Sequence, residues 1–396
     1  MMIIEAYGMT DVGKKRKENE DAYLIDKELG LYVVCDGLGG HAAGRAAADL
    51  AIAAIRASVQ RATRTYTGLR SGDASHSDLF TVASLAVDDA CVEVYRKAIS
   101  DARYNGMGCT VTLLLVSGSR AAIAHVGDSA IYLCRDEETE QLNMSHTFAG
   151  DMIRGGALTP DAAKTSRFSH VLSRAVGTHE TVISDKLILD LLPGDTFLLC
   201  TDGITRHIEG DAELTSFLSE DHIRHIPAQL VGLVNSRGGS DNATAVVVRA
   251  VQPAEGGSAN GRGTDVRAEV RCIRAGKVFQ DITLANALRI AAFSKARTCK
   301  PGDVLARQGE SISSVFLVMS GALSLRSGGT EVRTLAASEA AGLETLFGLS
   351  DAKYEIRARE ESVVLELSSE ELLDLARRRP WFGMDILTRA GAELGK

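Results

Sequence analysis

The run Leu31-Tyr-Val-Val-Cys35 is unbroken and apolar, and it ends on Asp36. A glycine-dense turn and a long Ala-rich helical pattern over 42–58 follow. The same arrangement recurs. Thr196–Cys200 leads through Thr201 to Asp202-Gly203, Asp241-Asn242 stands before the apolar run Ala243–Val248, and Glu20-Asp21 before Ala22–Ile25. Such a chain must gather its strands into a core while setting carboxylates at the rim. One Asp-Gly after a strand is ordinary turn chemistry, with the carboxylate bonded to its own backbone. Convergence of four such segments is another matter, because buried carboxylates repel one another and lose hydration. A cluster of that kind needs protons or a cation. Hard divalent ions take oxygen ligands, and Mg²⁺ keeps several waters. Two ions sharing a bridging carboxylate would activate a water and clamp a phosphoryl oxygen.

The strand candidates are the runs AYLI, LYVVC, CTVTLLLV, AAIAHV, AIYLC, KLILDLL, TFLLC and ATAVVV. Two helical patterns, 42–58 and about 79–99, interrupt them. The stretch 110–134 reads as three successive antiparallel strands joined by tight turns at Ser117–Arg120 and Gly127-Asp128. The class is therefore α+β. Residues 251–266, rich in Gly, Ser, Ala and Asn, read as a flexible linker between residues 1–250 and 267–396. Beyond it a short helix (283–293) leads into a β-rich block. Ser368 and Glu371 form a capping box, and Pro380 stops or bends the helix that box opens after Arg379.

Residues 1–250 hold 24 Lys/Arg against 33 Asp/Glu, whereas 251–396 hold 20 against 19. An acidic first part with few aromatics excludes nucleic acid as the expected partner. No apolar run reaches the roughly eighteen residues of a membrane span, and the first residues lack a signal-peptide pattern, so no membrane is expected. Cys35, Cys91, Cys109, Cys134, Cys200, Cys272 and Cys299 are scattered, with no C-x-x-C pair, which suits a reducing cytoplasm. Cys35 and Cys200 read as core residues and not as nucleophiles, since nothing electropositive surrounds them in sequence.

Seven segments occur in order: TDVGKKRKENEDAYLI, VVCDGLGGHAAG, MGCTVTLLL, AHVGDSAIYL, LSRAVG, GDTFLLCTDGI and GGSDNATAVVV. Together they resemble the metal-dependent Ser/Thr protein phosphatases of the PP2C (PPM) family in its compact bacterial form. The resemblance implies two antiparallel sheets packed face to face between helices, and a binuclear Mn²⁺ or Mg²⁺ site at one edge. It implies Asp36 as the carboxylate bridging both ions and Gly37 as donor of a backbone carbonyl. Asp202 and Asp241 match the remaining metal carboxylates. Glu20 and Asp21 match the pair that holds metal-bound waters, Arg16 the residue that grips the substrate phosphate, and Asn242 a support of the Asp241 loop. The implied reaction is attack of a metal-bound hydroxide on phosphoserine or phosphothreonine, the partner being a phosphorylated protein, a Ser/Thr kinase or its targets. A silent pseudophosphatase that only binds phosphoproteins is the alternative.

Departures from the family pattern are local. Leu38 stands where some relatives carry the His that protonates the leaving group, which leaves that role to a metal-bound water or His41. Ser145, in LNMSHT, replaces an Asp that helps hold a third ion, and Ala130 replaces the arginine of GDSR. Asp128 reads as structural. The segment Phe148–Gly177 resembles the mobile flap of bacterial members.

The stretch 268–396 resembles a cyclic-nucleotide-binding jelly roll through KPGD, QGE and VFLVMSGALSL. Its ligand cassette is eroded. Gly342 is followed by Leu343, Glu344 comes one place late, and Lys353 or Tyr354 occupies the arginine region. A lysine offsets phosphate charge without a bidentate grip. The second part is therefore expected to sense, dock or dimerise, with a cyclic-nucleotide-controlled effector as a further alternative and its ligand left open.

Overall fold

The computed structural model describes residues 2–40, 42–159, 162–163, 166–251 and 261–395, with backbone alone for 261–265. His41 and residues 252–260, which hold most of the expected linker, lie outside the described residues. The chain divides into two compact units, Met1–Asp151 with Pro160–Ser258, and Met152–Thr159 with Ala259–Lys396.

The first unit holds β1 (Ile3–Asp11), β2 (Ala22–Asp26), β3 (Leu31–Cys35), β4 (Gly37–Leu38), β5 (Gly108–Cys109), β6 (Val111–Ser117) and β7 (Arg120–Val126). It continues with β8 (Ala130–Arg135), β9 (Glu138–Gln141), β10 (Asp185–Asp190), β11 (Thr196–Cys200) and β12 (Ala243–Val251). One five-stranded sheet runs β1-β12-β11-β8-β9, the other β10-β7-β6-β3-β2, and β4-β5 form a small ribbon. All pairings are antiparallel.

Strand alternation shows how the layers stack. In β3, Leu31, Val33 and Cys35 share a core with Ala47, Ala51 and Ile55 of the helix Ala42–Thr65 and with Val82, Ala86 and Val87 of the helix His76–Ser100. Tyr32 and Val34, on the opposite face, are also fully buried. In the other sheet, Leu198 and Cys200 pack with Leu214, Leu230 and Val234 of the following helices, while Phe197 and Leu199 are buried on the far side. Strands buried on both faces need cover on both faces, which makes the unit a helix–sheet–sheet–helix sandwich. The helical pattern 42–58 extends to Thr65, and that of 79–99 starts at His76, where Ser75 and Asp78 form a capping box.

The stretch 110–134 departs from expectation. β6 and β7 pair as a hairpin, but β8 pairs with β11 and β9, so the chain changes sheets at Gly127-Asp128-Ser129. β7 and β8 are not a hairpin, and a tight turn alone does not make strands neighbours. Among the described residues no helix is long and apolar enough to cross a membrane.

The second unit opens with the helix Gly261–Ala275, which starts inside the stretch read as linker. After the helix Leu284–Ala291 come β13 (Ser294–Cys299), β14 (Val304–Ala306), β15 (Ser314–Ser320), β16 (Leu323–Ser327), β17 (Thr330–Leu335), β18 (Ala340–Ala341), β19 (Glu355–Ala358) and β20 (Ser362–Ser368). They form two four-stranded sheets, β13-β20-β15-β18 and β14-β19-β16-β17, around a core containing Phe316, Val318, Leu323 and Ile356. Ser368 accepts the Glu371 N–H at the start of the helix Ser369–Arg378, and Pro380 then opens a separate helix, Pro380–Leu394.

Candidate metal and phosphate site

β3 delivers Asp36 at its end, where Thr110 holds the backbone from both sides. The Asp36 N–H donates to Thr110 Oγ1 at 2.9 Å, and the Thr110 N–H donates to the Asp36 carbonyl at 2.8 Å. Thr110 Oγ1 lies 2.6 Å from Ser129 Oγ, beside the sheet-crossing turn. Gly37 follows in the β4-β5 ribbon, so close to other backbone that a Cβ would stand 2.1 Å from the Gly44 carbonyl. β11 leads to Asp202 in the first turn of the short helix Asp202–Thr205. At Gly203 a Cβ would meet the Asn242 carbonyl at 1.8 Å, so only glycine lets this helix and the Asp241-Asn242 loop approach.

Asp36, Asp128 and Asp202 offer carboxylate oxygens that all lie within 4.8 Å of one another. Asp128, expected as structural, thus stands in the cluster, because the crossing turn brings it between the ends of β3 and β11. Asp241 joins through two arginines: its Oδ2 accepts from Arg16 Nη2 at 2.8 Å and from Arg206 Nη1 at 3.2 Å. The other arm of Arg206 pairs with Asp202.

Asn242 ties the N-terminal loop to this rim. Its Oδ1 accepts the Glu20 N–H at 2.9 Å, and its Nδ2 donates to the Val12 and Glu18 carbonyls, each at 3.0 Å. This is wider support than the Asp241 loop alone, since it spans the segment carrying Arg16. The Glu20 carboxylate lies against Gly44. Asp21 is fully buried. One of its oxygens accepts from Thr201 Oγ1 at 2.8 Å and Thr244 Oγ1 at 2.7 Å, while Oδ1 has no hydrogen-bond partner among the described atoms.

The electrostatics follow from crowding. Burial, then the charges of Asp21, Asp202, Asp128 and Asp241, hold Asp36 well above the usual carboxylate range. Asp128 is pushed up to about 7 by burial and then Asp202, and Asp21 to about 7 by burial against its two threonine bonds. Asp202 is raised by burial, with Arg206 opposing. Closely set oxygens that resist ionisation, and a buried oxygen lacking a partner, match the donor set of hard divalent ions with their waters. Asp36, the Gly37 carbonyl, Asp128, Asp202 and Asp241 are the groups that could hold such ions. Burial pushes the Cys35 and Cys200 thiols up, so neither offers a thiolate.

Leu38 sits in the β4-β5 ribbon paired with Gly108, and Ala130 is buried in β8. Sequence reasoning missed Arg206 and Asp128. Each had a signal: Arg206 lies four residues after Asp202 in a helical turn, and Asp128 follows the apolar strand Ala121–Val126 as Asp36 follows Leu31–Cys35.

In the second unit, Gly342, Leu343, Glu344, Lys353 and Tyr354 line one cavity of about 450 Å³, together with Arg333 and Glu393. Glu344 accepts the Lys353 N–H at 3.2 Å, and the Lys353 ammonium lies 5.2 Å from the centre of the Tyr354 ring. Arg333 pairs with Glu339 at 3.1 Å and Glu393 at 3.3 Å.

Residues 13–235 match the family described as Protein phosphatase 2C, and residues 296–379 match the Cyclic nucleotide-binding domain. Protein phosphatase PhpP of Streptococcus pneumoniae is 29% identical over 246 residues, covering 61% of this chain and 95% of that protein. The crystal structure of the Mycobacterium tuberculosis serine/threonine phosphatase PstP/Ppp superposes with a TM-score of 0.56 at 28% identity, over 64% of this chain and all of that one. The PstP catalytic domain in complex with two manganese ions gives a TM-score of 0.54 over the same shares. PppA of Pseudomonas aeruginosa is 32% identical, with a TM-score of 0.52 over 62% of this chain and 97% of its own.

Proposed function

Because the chain belongs to the protein phosphatase 2C family, we propose that its carboxylate rim works as the active site of a metal-dependent protein serine/threonine phosphatase, with the roles given below. The enzyme class and the Mn²⁺ or Mg²⁺ requirement go with the family. The observation that carries the site assignment is the meeting of Asp36, Asp128 and Asp202 within 4.8 Å, at the ends of strands from both sheets.

Asp36, held rigid by Thr110, and the Gly37 carbonyl would hold the ions. Asp202 and Asp241 would hold them as well, with Asp128 in the same cluster. The bound ions supply a water of lowered pKa and positive charge against the phosphoryl oxygens. Arg16 binds the phosphate. It is 53% exposed and reaches the rim from a loop pinned by Asn242, and its planar fork suits two phosphate oxygens at once. Glu20 and Asp21 orient ordered water, and the buried Asp21 Oδ1, without a hydrogen-bond partner among the described atoms, suits that task. Leu38 donates no proton, so the leaving alkoxide draws one from water in the site or from His41. The presence of every expected ligand leaves the pseudophosphatase alternative without support.

The substrates on this reading are proteins phosphorylated on serine or threonine, including a kinase or its targets, in a reducing compartment that keeps the seven thiols free. The second unit serves sensing or docking, dimerisation included. Its cavity has Lys353 or Tyr354 where a bidentate arginine would grip a cyclic phosphate, and its Arg333 is already paired.

The test is Mn²⁺-dependent hydrolysis of a phosphothreonine peptide by wild type, Asp36→Ala and Asp202→Asn. Turnover in wild type alone is expected. No turnover in wild type, or equal turnover in all three, sinks the assignment. Calorimetry of the full chain with cAMP and cGMP tests the second unit, where heat with either would overturn the reading of an eroded cassette.

A further inference from the structure

We propose that Arg206 is a built-in competitor for the metal site, a tethered cation that must leave Asp202 and Asp241 before a divalent ion can take both. This rests on the phosphatase reading above and concerns its regulation by metal supply.

Arg206 closes the short helix that Asp202 opens, its N–H donating to the Asp202 carbonyl at 3.0 Å. That places the guanidinium over the carboxylate one turn back. Nη2 pairs with Asp202 Oδ2, and Nη1 reaches Asp241 Oδ2 at 3.2 Å. The fork therefore joins two carboxylates delivered by different strands, the same two that the family resemblance gives to metal. Arg16 also binds Asp241 Oδ2, but it does not touch Asp202 and is more exposed. The Arg206 side chain is 31% exposed, so it can swing out to water while keeping its helix in place.

A guanidinium is charged at every working pH, so proton loss cannot relieve this competition. Asp241 Oδ2 already carries two donors, its Oδ1 accepts the Asn242 N–H, and Arg206 also covers one Asp202 oxygen, so an inner-sphere ion must compete with it at both carboxylates. The site therefore divides its time between an arginine-closed and an ion-accepting arrangement. The apparent ion affinity is the intrinsic one reduced by the fraction of open sites. The built-in charge also holds the carboxylates together when metal is scarce, at the cost of a higher ion concentration for loading.

The experiment is calorimetric titration of the full chain with Mn²⁺, comparing wild type, Arg206→Gln and Arg206→Lys at one pH and salt, with melting temperatures measured with EDTA and with Mn²⁺. Arg206→Gln is expected to bind Mn²⁺ on the order of tenfold more tightly, as removal of a mostly closed state requires. Its melting temperature in EDTA falls, and the rise on adding Mn²⁺ grows. Arg206→Lys, a point charge that cannot span both carboxylates, falls between the two. Equal or weaker Mn²⁺ binding by Arg206→Gln overturns the proposal, even if its turnover drops, because that pattern marks a substrate contact. Should Arg206→Gln not fold, Arg206→Lys carries the same test, and affinity at or below wild type overturns it. If wild type binds no Mn²⁺, the phosphatase reading itself falls and this inference with it.

Discussion

Thr110 and Asp36 are bonded in both directions: the Thr110 N–H donates to the Asp36 carbonyl at 2.8 Å, and Thr110 Oγ1 accepts the Asp36 N–H at 2.9 Å. Because Thr110 Oγ1 also meets Ser129 Oγ at 2.6 Å, one hydroxyl couples the β3 end to the sheet-crossing turn. Thr110→Val keeps the shape and removes the hydroxyl. Denaturant unfolding should show a loss of about 1–3 kcal/mol, the cost of leaving buried partners unmade. Mn²⁺ affinity should weaken with it, since Asp36 and Asp128 lose their common support.

The N-terminal loop is the second place to intervene. Asn242→Ala deletes three side-chain bonds, to Glu20, Val12 and Glu18, and releases the segment that carries Arg16. We expect kcat/KM for a phosphothreonine peptide to fall about 10- to 100-fold through loss of orientation. Mn²⁺ binding measured by calorimetry should change far less.

Arg16→Ala should raise KM for the same peptide more than it lowers kcat, with Arg16→Lys recovering only part, since a lysine cannot make the two-point contact. Steady-state kinetics at saturating Mn²⁺ checks both. An unchanged KM in Arg16→Ala would remove Arg16 from phosphate binding.

Acidity gives a signed prediction. Asp21 and Asp128 are raised from 3.8 to about 7 in the folded protein, chiefly by burial. Between those values the native state binds protons that the unfolded chain has released. Stability of the EDTA-treated protein should therefore fall as pH rises from about 4 to about 7. Mn²⁺ must displace protons from such a cluster, so its affinity should climb over the same window. Melting curves and calorimetry across pH check both slopes; a flat pair would contradict the buried, crowded site.

Gly203→Ala addresses the close approach of two loops. The added Cβ would meet the Asn242 carbonyl at 1.8 Å, and backbone cannot yield as a side-chain tip can. A destabilisation of several kcal/mol is expected, as for other overpacked sites, together with weakened Mn²⁺ binding as Asp202 and Asp241 move apart.

Read alone, the sequence determined the strands, the two long helices and the carboxylates that end or begin the apolar runs, because alternation, helical spacing and strand-end charges are local properties of the chain. Motifs such as VVCDGLGG and GGSDNATAVVV carried enough of that order to name Asp36, Asp202, Asp241 and Arg16 before any fold was known. What only the tertiary structure decided is who meets whom. The turn at Gly127-Asp128-Ser129 looks like any hairpin turn, and nothing local says that β8 leaves the sheet of β7 for that of β11. That crossing is what moves Asp128 from a structural turn into the carboxylate cluster. Arg206 was readable only in part: its i,i+4 spacing to Asp202 is local, but its reach to Asp241, 35 residues away, is not. Charges act through distance in space, and only the sheet order converts one kind of distance into the other.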